Sequence, residues 1–331
     1  MEGGLRVALD AMGGDYAPVA TVEGAISAMQ NEKLHITLVG KPEAIQAELS
    51  KFSYDKNRLT IVPATQVISM DEHPTAAIKE KKDSSMVVGL RLLKEGQADA
   101  FVSAGNTGAL LAGATTIVGR IKGIERPALA TLLPNEKGFS FLIDSGANVD
   151  AKPTYLVQFG KMGSVYMEHV MGIPDPRVGL VNIGAEKEKG NALVKEAYEL
   201  MREAGFHFIG NVEARDIPAG AADVLVCDAF IGNILLKYSE GFSVGLLRMV
   251  RKELMGTLLS KLGALLAAGA FKNLKKSFDF SEIGGAPFLG LNALVVKAHG
   301  SSNAKAFKNA IKKAMEFYET GVIDLIAAAI K

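Results

Sequence analysis

Short apolar runs alternate with longer segments of helical periodicity along this chain. The apolar runs have the length and β-branched content of strands: Leu5–Asp10, Leu34–Val39, Leu59–Pro63, Ala100–Ser103, Arg177–Ile183, Phe206–Gly210, Val224–Cys227 and Ala293–Lys297. Apolar residues recur every three or four positions in the segments between them: Pro18–Met29, Glu43–Leu49, Ile78–Glu95, Pro153–Met171, Asn191–Ala204, Lys237–Leu266 and Ser302–Lys331, the last as one helix or a pair. This alternation predicts an α/β fold in which helices cover a mostly parallel sheet.

Part of the sheet is predicted to be antiparallel. Ala128–Leu133 and Phe139–Asp144 both have strand patterns, and Pro134–Gly138 between them has the composition of a hairpin turn. Two strands joined this tightly pair in opposite directions. We therefore expect a mixed sheet rather than a purely parallel one.

A helical hairpin is predicted at about residues 241–280. Leucines recur at helical spacing through Lys237–Leu266, and Gly256, Gly263 and Gly269 favour a break over one long rod. One interpretation is a core or dimer helix. The other is an apolar tip that lies in a membrane surface, with three lysines at the lipid headgroups: Lys272, Lys275 and Lys276.

Composition narrows the class of protein. The 331 residues suffice for a large core, and we expect 1–331 to form a single catalytic unit because neither a repeat nor a low-complexity linker interrupts them. A net charge of +1 predicts no nucleic-acid partner. The one cysteine, Cys227, and the lack of a signal-peptide pattern predict a cytoplasmic location. The histidines are scattered without zinc-site spacing, so we expect no metal site.

The segment Asp99–Ala114 carries the main candidate for chemistry. A short strand leads into Gly105, Asn106, Thr107 and Gly108, and a small apolar helix start follows. Helix-start N–H groups lack carbonyl partners, and glycine lets the backbone approach an anion. An ordinary tight turn that binds nothing remains the alternative interpretation.

The same pattern of strand followed by glycine-containing loop recurs. It follows the strands that end near Asp10, Asp144, Asn182, Asp228 and Lys297. Because the carboxyl ends of parallel strands meet at one edge of a sheet, we expect these loops to gather around one crevice.

Six motifs in order resemble one known family. They are Asp-Ala-Met-Gly-Gly-Asp at 10–15, Ser-Ala-Gly-Asn-Thr-Gly-Ala at 103–109, Asn-Ile-Gly-Ala-Glu-x-x-Lys-Gly at 182–190, Cys-Asp-x-x-x-Gly-Asn at 227–233, Gly-Gly-Ala-Pro at 284–287 and His-Gly-Ser-Ser-Asn at 299–303. Together they are similar to the bacterial phosphate acyltransferases of phospholipid synthesis. Ala214, Ala229 and Ser145 depart from that family's usual residues and affect local loop shape at most.

The resemblance implies a fold and an activity. The fold would be an α/β/α sandwich like that of phosphate acetyltransferases and isocitrate dehydrogenase, forming a homodimer. The reaction would move a fatty acyl group from acyl carrier protein to inorganic phosphate, without a cofactor, and the acyl phosphate would feed phospholipid synthesis. Peripheral membrane contact is implied too. The acidic carrier protein would dock on the hairpin or on a basic cluster of Lys79, Lys81, Lys82 and Arg91.

Site residues follow from the motifs and the chemistry. We expect Gly105–Gly108 and Ser301 to bind phosphate, and His299, Lys189 and Asn233 to be catalytic. His299 would donate a proton to the leaving sulfur near neutral pH. A capping role for His299 and a solvated position for Lys189 remain open. Supporting roles in orienting these groups or capping helices are expected for the following residues: Asp10, Gly13, Gly14, Asp15, Asp144 and Asp228. Cys227 follows a buried strand and is expected to be inert.

Three other functions remain open. One is a coenzyme A-dependent acyltransferase of the acetyl type. Another is an NAD-dependent dehydrogenase of related fold, against which the first strand is followed by Ala11–Asp15 and not by Gly-x-Gly-x-x-Gly. The last is a membrane-docked scaffold for acyl carrier protein without activity.

Overall fold

The computed structural model describes residues 4–30, 33–277 and 284–330, and within them eleven strands form one sheet. The strands are β1 (Leu5–Asp10), β2 (Leu34–Gly40), β3 (Leu59–Pro63), β4 (Ala100–Ser103), β5 (Ala128–Asn135), β6 (Gly138–Ile143), β7 (Val178–Asn182), β8 (Phe208–Glu213), β9 (Val224–Val226), β10 (Ala286–Leu289) and β11 (Leu294–Lys297). The α-helices are α1 (Val19–Met29), α2 (Pro42–Leu49), α3 (Pro74–Glu80), α4 (Ser85–Lys94), α5 (Thr107–Gly113), α6 (Pro153–His169), α7 (Ala192–Arg202), α8 (Ala229–Leu254), α9 (Leu258–Leu266), α10 (Ala268–Ser277), α11 (Ala304–Thr320) and α12 (Val322–Ile330).

The strand order is β3-β2-β1-β4-β11-β10-β5-β6-β9-β7-β8. Pairing is parallel except at β11–β10, β10–β5 and β5–β6, where it is antiparallel. Three reversals make the set β6, β9, β7 and β8 run opposite to the set β3, β2, β1, β4 and β11. The prediction of a mixed, mostly parallel sheet is confirmed. The prediction that all the glycine loops gather at one sheet edge is wrong, because loops after β1, β4 and β11 point one way and loops after β6, β7 and β9 the other.

Apolar side chains pack on both faces of the sheet. One face carries α1, α6, α11 and α12, with Leu9, Val102, Phe141 and Val296 of the strands inside the cluster. The other face carries α4 and α5 against Ala8, Phe101 and Val295. Helices on both sides give the α/β/α sandwich that was expected.

Two predicted helices have different bounds in the structure. Ile78–Glu95 is not one helix, because α3 ends at Glu80 and α4 starts at Ser85, where the Ser84 hydroxyl accepts the N–H of Val87 at 3.3 Å. Lys237–Leu266 is also divided: α8 begins earlier, at Ala229, and Thr257 starts α9 with a capping box. The strand β10 was not predicted at all.

Helices α8, α9 and α10 occupy the region of the expected hairpin. Large apolar side chains of α9 are exposed, among them Leu258 at 86% and Leu266 at 83%. The end of the expected hairpin, 278–280, and the side chains of Lys275 and Lys276 lie outside the described residues. No described helix is both long enough and apolar enough to cross a bilayer.

Candidate active site

Three polar side chains stand in a row at the carboxyl ends of β1, β4 and β11. Asp10 follows Leu9, which pairs with Val102, and Ser103 is directly opposite Lys297 in the register. Since side chains alternate along a strand, Asp10, Ser103 and Lys297 share the sheet face that carries α4 and α5. The Ser103 hydroxyl donates to Oδ2 of Asp10 at 2.7 Å, and the three residues are 2%, 0% and 7% exposed.

Burial moves both charged members of this row toward neutrality. It raises the pKa of Asp10, and the hydroxyls of Ser85 and Ser103 oppose that rise. It lowers the pKa of Lys297 to about 8, and the carboxylates of Asp10 and Asp15 oppose that fall. Polar groups this deeply buried are costly to maintain, and they mark the crevice as a candidate site.

The glycine loop after β4 presents unpartnered backbone amides. The N–H of Gly105 donates to Ser103 Oγ at 3.1 Å, and that of Ala109 donates to Asn106 Oδ1 at 3.0 Å. Among hydrogen bonds between described residues, none uses the N–H groups of Asn106, Thr107 or Gly108. Consecutive free amides at a helix start attract an anion.

The side chain of Asn106 is already engaged. Its amide donates to the carbonyls of Met70 at 3.0 Å and Glu72 at 3.2 Å, while its Oδ1 caps α5. Only the main-chain N–H of Asn106 is therefore available to bind an anion. Its side chain instead fastens the 69–72 segment to the loop.

The loop after β1 packs between the loops after β4 and β11. A Cβ on Gly13 would lie 2.5 Å from Oδ2 of Asp10 and 2.9 Å from the Gly105 nitrogen. Gly14 has a φ of 105°, and a Cβ there would meet the carbonyl oxygen of Gly300 at 3.1 Å. The N–H of Asp15 donates to that same carbonyl at 2.8 Å. Only glycine permits this approach, so Gly13 and Gly14 set the shape of the crevice.

His299 and Ser301 lie at the start of the third loop, facing α8. Nζ of Lys237 is 3.2 Å from Nε2 of His299, and Ser301 Oγ is 2.8 Å from Nδ1. The backbone N–H of Ser301 donates to Nδ1 at 3.2 Å, so donor groups face both ring nitrogens. Partial burial, and next the charge of Lys237, lower the pKa of His299. Both effects favour the neutral form of the ring, and the acid–base role of His299 stays a prediction.

Helix α8 connects this crevice to the loops of the oppositely directed strands. Asp228 caps it by accepting the N–H of Ile231 at 2.9 Å. Asn233 and Lys237 are one turn apart and share a helix face, and Asn233 is exposed. Oδ1 of Asn233 lies 3.8 Å from where a Cβ on Gly146 would be, so this side chain borders the loop after β6.

Asp144 and Cys227 are structural. Asp144 is fully buried and accepts five N–H bonds, from Leu129, Gly146, Ala147 and, twice, Asn148. The Cys227 thiol lies 3.8 Å from the carbonyl oxygen of Asp144, and burial raises its pKa well above the usual value. Such a thiol is a poor nucleophile.

Lys189 lies apart from the crevice formed by β1, β4 and β11. It is exposed in the loop after β7, and four strands separate β7 from β11 in the sheet. Asn182 holds this loop by donating to the Lys189 carbonyl at 3.1 Å. The structure therefore brings together His299, Ser301, Asp10 and the glycine loops, but gives Lys189 no contact with them in the described part of the chain.

Two lysines of the crevice, Lys237 and Lys297, were not singled out from the sequence. Lys297 ends an otherwise apolar strand run, which was a signal that a charged group would be buried there. Nothing in the local sequence distinguished Lys237, because its role depends on where α8 passes in three dimensions.

Comparison with known proteins identifies the family of this chain. The family model described as fatty acid synthesis protein matches residues 5–325. A phosphate acyltransferase of Clostridium perfringens is 52% identical over 328 residues, covering 98% of this chain and 97% of its own length. One of Clostridium botulinum is 53% identical over 321 residues, covering 97% and 96%.

Solved structures share the fold. A phosphotransacetylase from Streptococcus pyogenes superposes with a TM-score of 0.61 at 18% identity, covering 99% of this chain and 94% of its own. The fold expected from the motifs is therefore confirmed. The chain belongs to the phosphate acyltransferase family and is an acyltransferase.

Proposed function

We propose that this protein transfers a fatty acyl group from the thioester of acyl carrier protein to inorganic phosphate, and that the acyl phosphate serves phospholipid synthesis. The observation that carries the proposal is the set of unpartnered amides at Asn106, Thr107 and Gly108, beside the buried row of Asp10, Ser103 and Lys297. Phosphate is the acceptor in the names of the relatives, and this crevice is suited to a small oxyanion.

The chemistry needs phosphate held against the thioester. A phosphate oxygen attacks the carbonyl carbon, a C–O bond forms, the C–S bond breaks, and the thiolate takes a proton. Binding phosphate at the 106–108 amides holds it beside the thioester, so the entropy cost of bringing the two reactants together is met in the binding step. The side chain of Asn233, one turn from Lys237 on α8, is proposed to donate to the carbonyl oxygen as it becomes negative.

Lys237 and His299 form the proposed proton donor. The pair shares one ionisable proton between Nζ and Nε2, 3.2 Å apart, and presents it at the crevice. We expect His299→Ala and Lys237→Met each to lower kcat by about 100- to 10,000-fold, as removal of a general acid does. The KM for phosphate should change little. Full turnover in either variant, measured as thiol release, would remove the pair from the mechanism. The remote Lys313→Met variant is the control.

The activity itself is tested by thiol release. The protein is incubated with acyl-carrier-protein thioester or with acyl coenzyme A, each with and without phosphate. Phosphate-dependent thiol release from the carrier-protein donor is expected, and faster release from coenzyme A would favour the acetyl-type alternative. No release from either donor would favour a scaffold.

Assembly and location are proposed from the α8–α10 region. Exposed leucines on α9 suit a membrane surface or a second copy, and exposed Arg248, Arg251 and Lys252 on α8 suit an acidic carrier protein. Lys81 is less suited to docking, because it donates to Glu72 at 2.6 Å and to the Val67 carbonyl. We propose one catalytic unit, a homodimer in the cytoplasm, that contacts the membrane peripherally.

A further inference from the structure

Lys297 is a buried cation without a carboxylate partner. It is 7% exposed, and among described residues its only hydrogen bond is from Nζ to the carbonyl of Ala298. No carboxylate of the described residues lies within 4.0 Å of its ammonium. An ammonium has three donors, so two remain without a protein acceptor. Buried charges are normally paired, and this one has no carboxylate of the described residues in direct contact.

Asp10 and Asp15 act on Lys297 through their charges, but neither accepts a hydrogen bond from its ammonium. Asp10 already accepts from Ser103 Oγ at 2.7 Å and from the Met12 N–H at 3.2 Å. Asp15 is exposed and acts only through space. Lys237 and His299 lie on the remaining side and add no negative charge.

Lys297 lies beside the end of β4, the strand that leads into the glycine loop. Lys297 is opposite Ser103 in the β11–β4 register, and the next N–H, of Ala298, donates to the Ser103 carbonyl at 2.9 Å. Two residues after Ser103 the chain enters the loop whose amides at Asn106, Thr107 and Gly108 are free. The ammonium and the amides thus border the same end of β4.

We propose that Lys297 is a phosphate-binding residue, the cationic half of a site whose other half is the free amides of the 106–108 loop. The inference rests on the proposed function and adds to it a residue that binds the acceptor. Phosphate would supply an anion in direct contact with the ammonium, and its oxygens would accept the two unused N–H groups. A charge-assisted bond of this kind is about twice as strong as a neutral one.

Two substitutions test the proposal. Lys297→Met keeps most of the length of the side chain and removes a buried charge, so the protein is expected to fold. Its KM for phosphate should rise about 10- to 100-fold, while its KM for the acyl donor stays within about twofold. Lys297→Arg keeps the charge and should recover part of the affinity. Lys313→Met is the matched control, since Lys313 is also mostly buried but pairs with Glu316 at 2.6 Å, away from the crevice.

A second readout does not depend on turnover. Phosphate should raise the melting temperature of the wild type, because a ligand that binds only the folded state stabilises it, and this rise should be lost in Lys297→Met. An unchanged phosphate KM together with an unchanged phosphate-dependent rise in Lys297→Met would overturn the proposal. If wild-type protein releases no thiol, the proposed function fails, yet a phosphate effect that requires Lys297 would still support the site. Should Lys297→Met not fold, Lys297→Gln takes its place.

Discussion

At the residue scale, the crevice brings a buried carboxyl group and a buried lysine to neighbouring strand ends. Asp10 and Lys297 are both less than a tenth exposed, and burial shifts the pKa of each toward its neutral form. Packing does not explain either residue, because burying an apolar side chain of the same size would cost less free energy. Their position at strand ends beside free amides is what a site for a small anion requires.

The buried lysine makes a prediction about stability and pH. Its pKa falls from 10.5 to about 8 on folding, so between these values the unfolded chain holds a proton that the folded chain has released. The contribution of Lys297 to the free energy of unfolding therefore rises with pH between about 8 and 10.5. At pH 7 the wild type carries the full cost, on the order of 3 kcal/mol.

Lys297→Met should then unfold at a higher temperature than the wild type at pH 7, in buffer without phosphate. The difference should shrink as the pH approaches 10, where the lysine of the wild type is neutral. Thermal unfolding at several pH values measures it. A stability gain that is the same at every pH would mean that the folded lysine is not buried in its charged form.

At the scale of elements, helix α8 ties the two halves of the sheet together. It starts at the end of β9, is capped by Asp228, and carries Lys237 to within 3.2 Å of His299 beyond β11. Its first turns pack tightly: a Cβ on Gly232 would lie 1.9 Å from the carbonyl oxygen of Asp144. We expect the position of Lys237 beside His299 to depend on that contact.

Gly232→Ala should therefore displace α8. We expect a loss of about 1 to 3 kcal/mol in unfolding free energy, as overpacking typically causes, and a fall in kcat because Lys237 moves from His299. Gly241→Ala in the same helix is the matched control, since a Cβ there meets nothing within 4 Å. The control should gain about 0.5 to 1 kcal/mol from helix propensity. Equal stability and activity of the two variants would refute the role of this contact.

At the scale of the whole molecule, helix α8 connects the crevice to the exposed apolar helix α9. It passes His299 at Lys237 and leads, after the cap at Thr257, into α9. Four leucines of α9 are more than 70% exposed: Leu258, Leu259, Leu265 and Leu266. An apolar surface this dense on one helix suits contact with lipid or with another protein.

The double variant Leu259→Glu, Leu266→Glu should lose binding to vesicles that contain anionic lipid, because two charges would enter the apolar layer. Thiol release with a soluble acyl donor should stay at the wild-type level. Vesicle flotation measures the binding. Leu200→Glu on α7 is the control for an added charge on an exposed leucine. Flotation unaffected by the double variant would assign the leucines to a protein interface, which sedimentation would then reveal.

The sequence by itself determined much of this protein. Hydrophobic periodicity predicted most strands and helices because the pattern of burial in each element is local. Glycine loops such as those at Gly13, Gly14 and Gly105 could be predicted because their backbone constraints are local too. The motifs were specific enough to predict the family, which the relatives confirm.

Only the tertiary structure decided which of those loops share a site. The direction of a strand depends on which distant strands it pairs with. Because strand direction reverses between β11 and β6, Lys189 and His299 lie in loops at opposite edges of the sheet, and no local sequence pattern predicts this. The same holds for Lys297 and Lys237: one is buried because its strand lies within the sheet, and the other meets His299 because a helix from the opposite half crosses to it. Charge burial and contacts over 62 residues of separation are properties of the assembled chain.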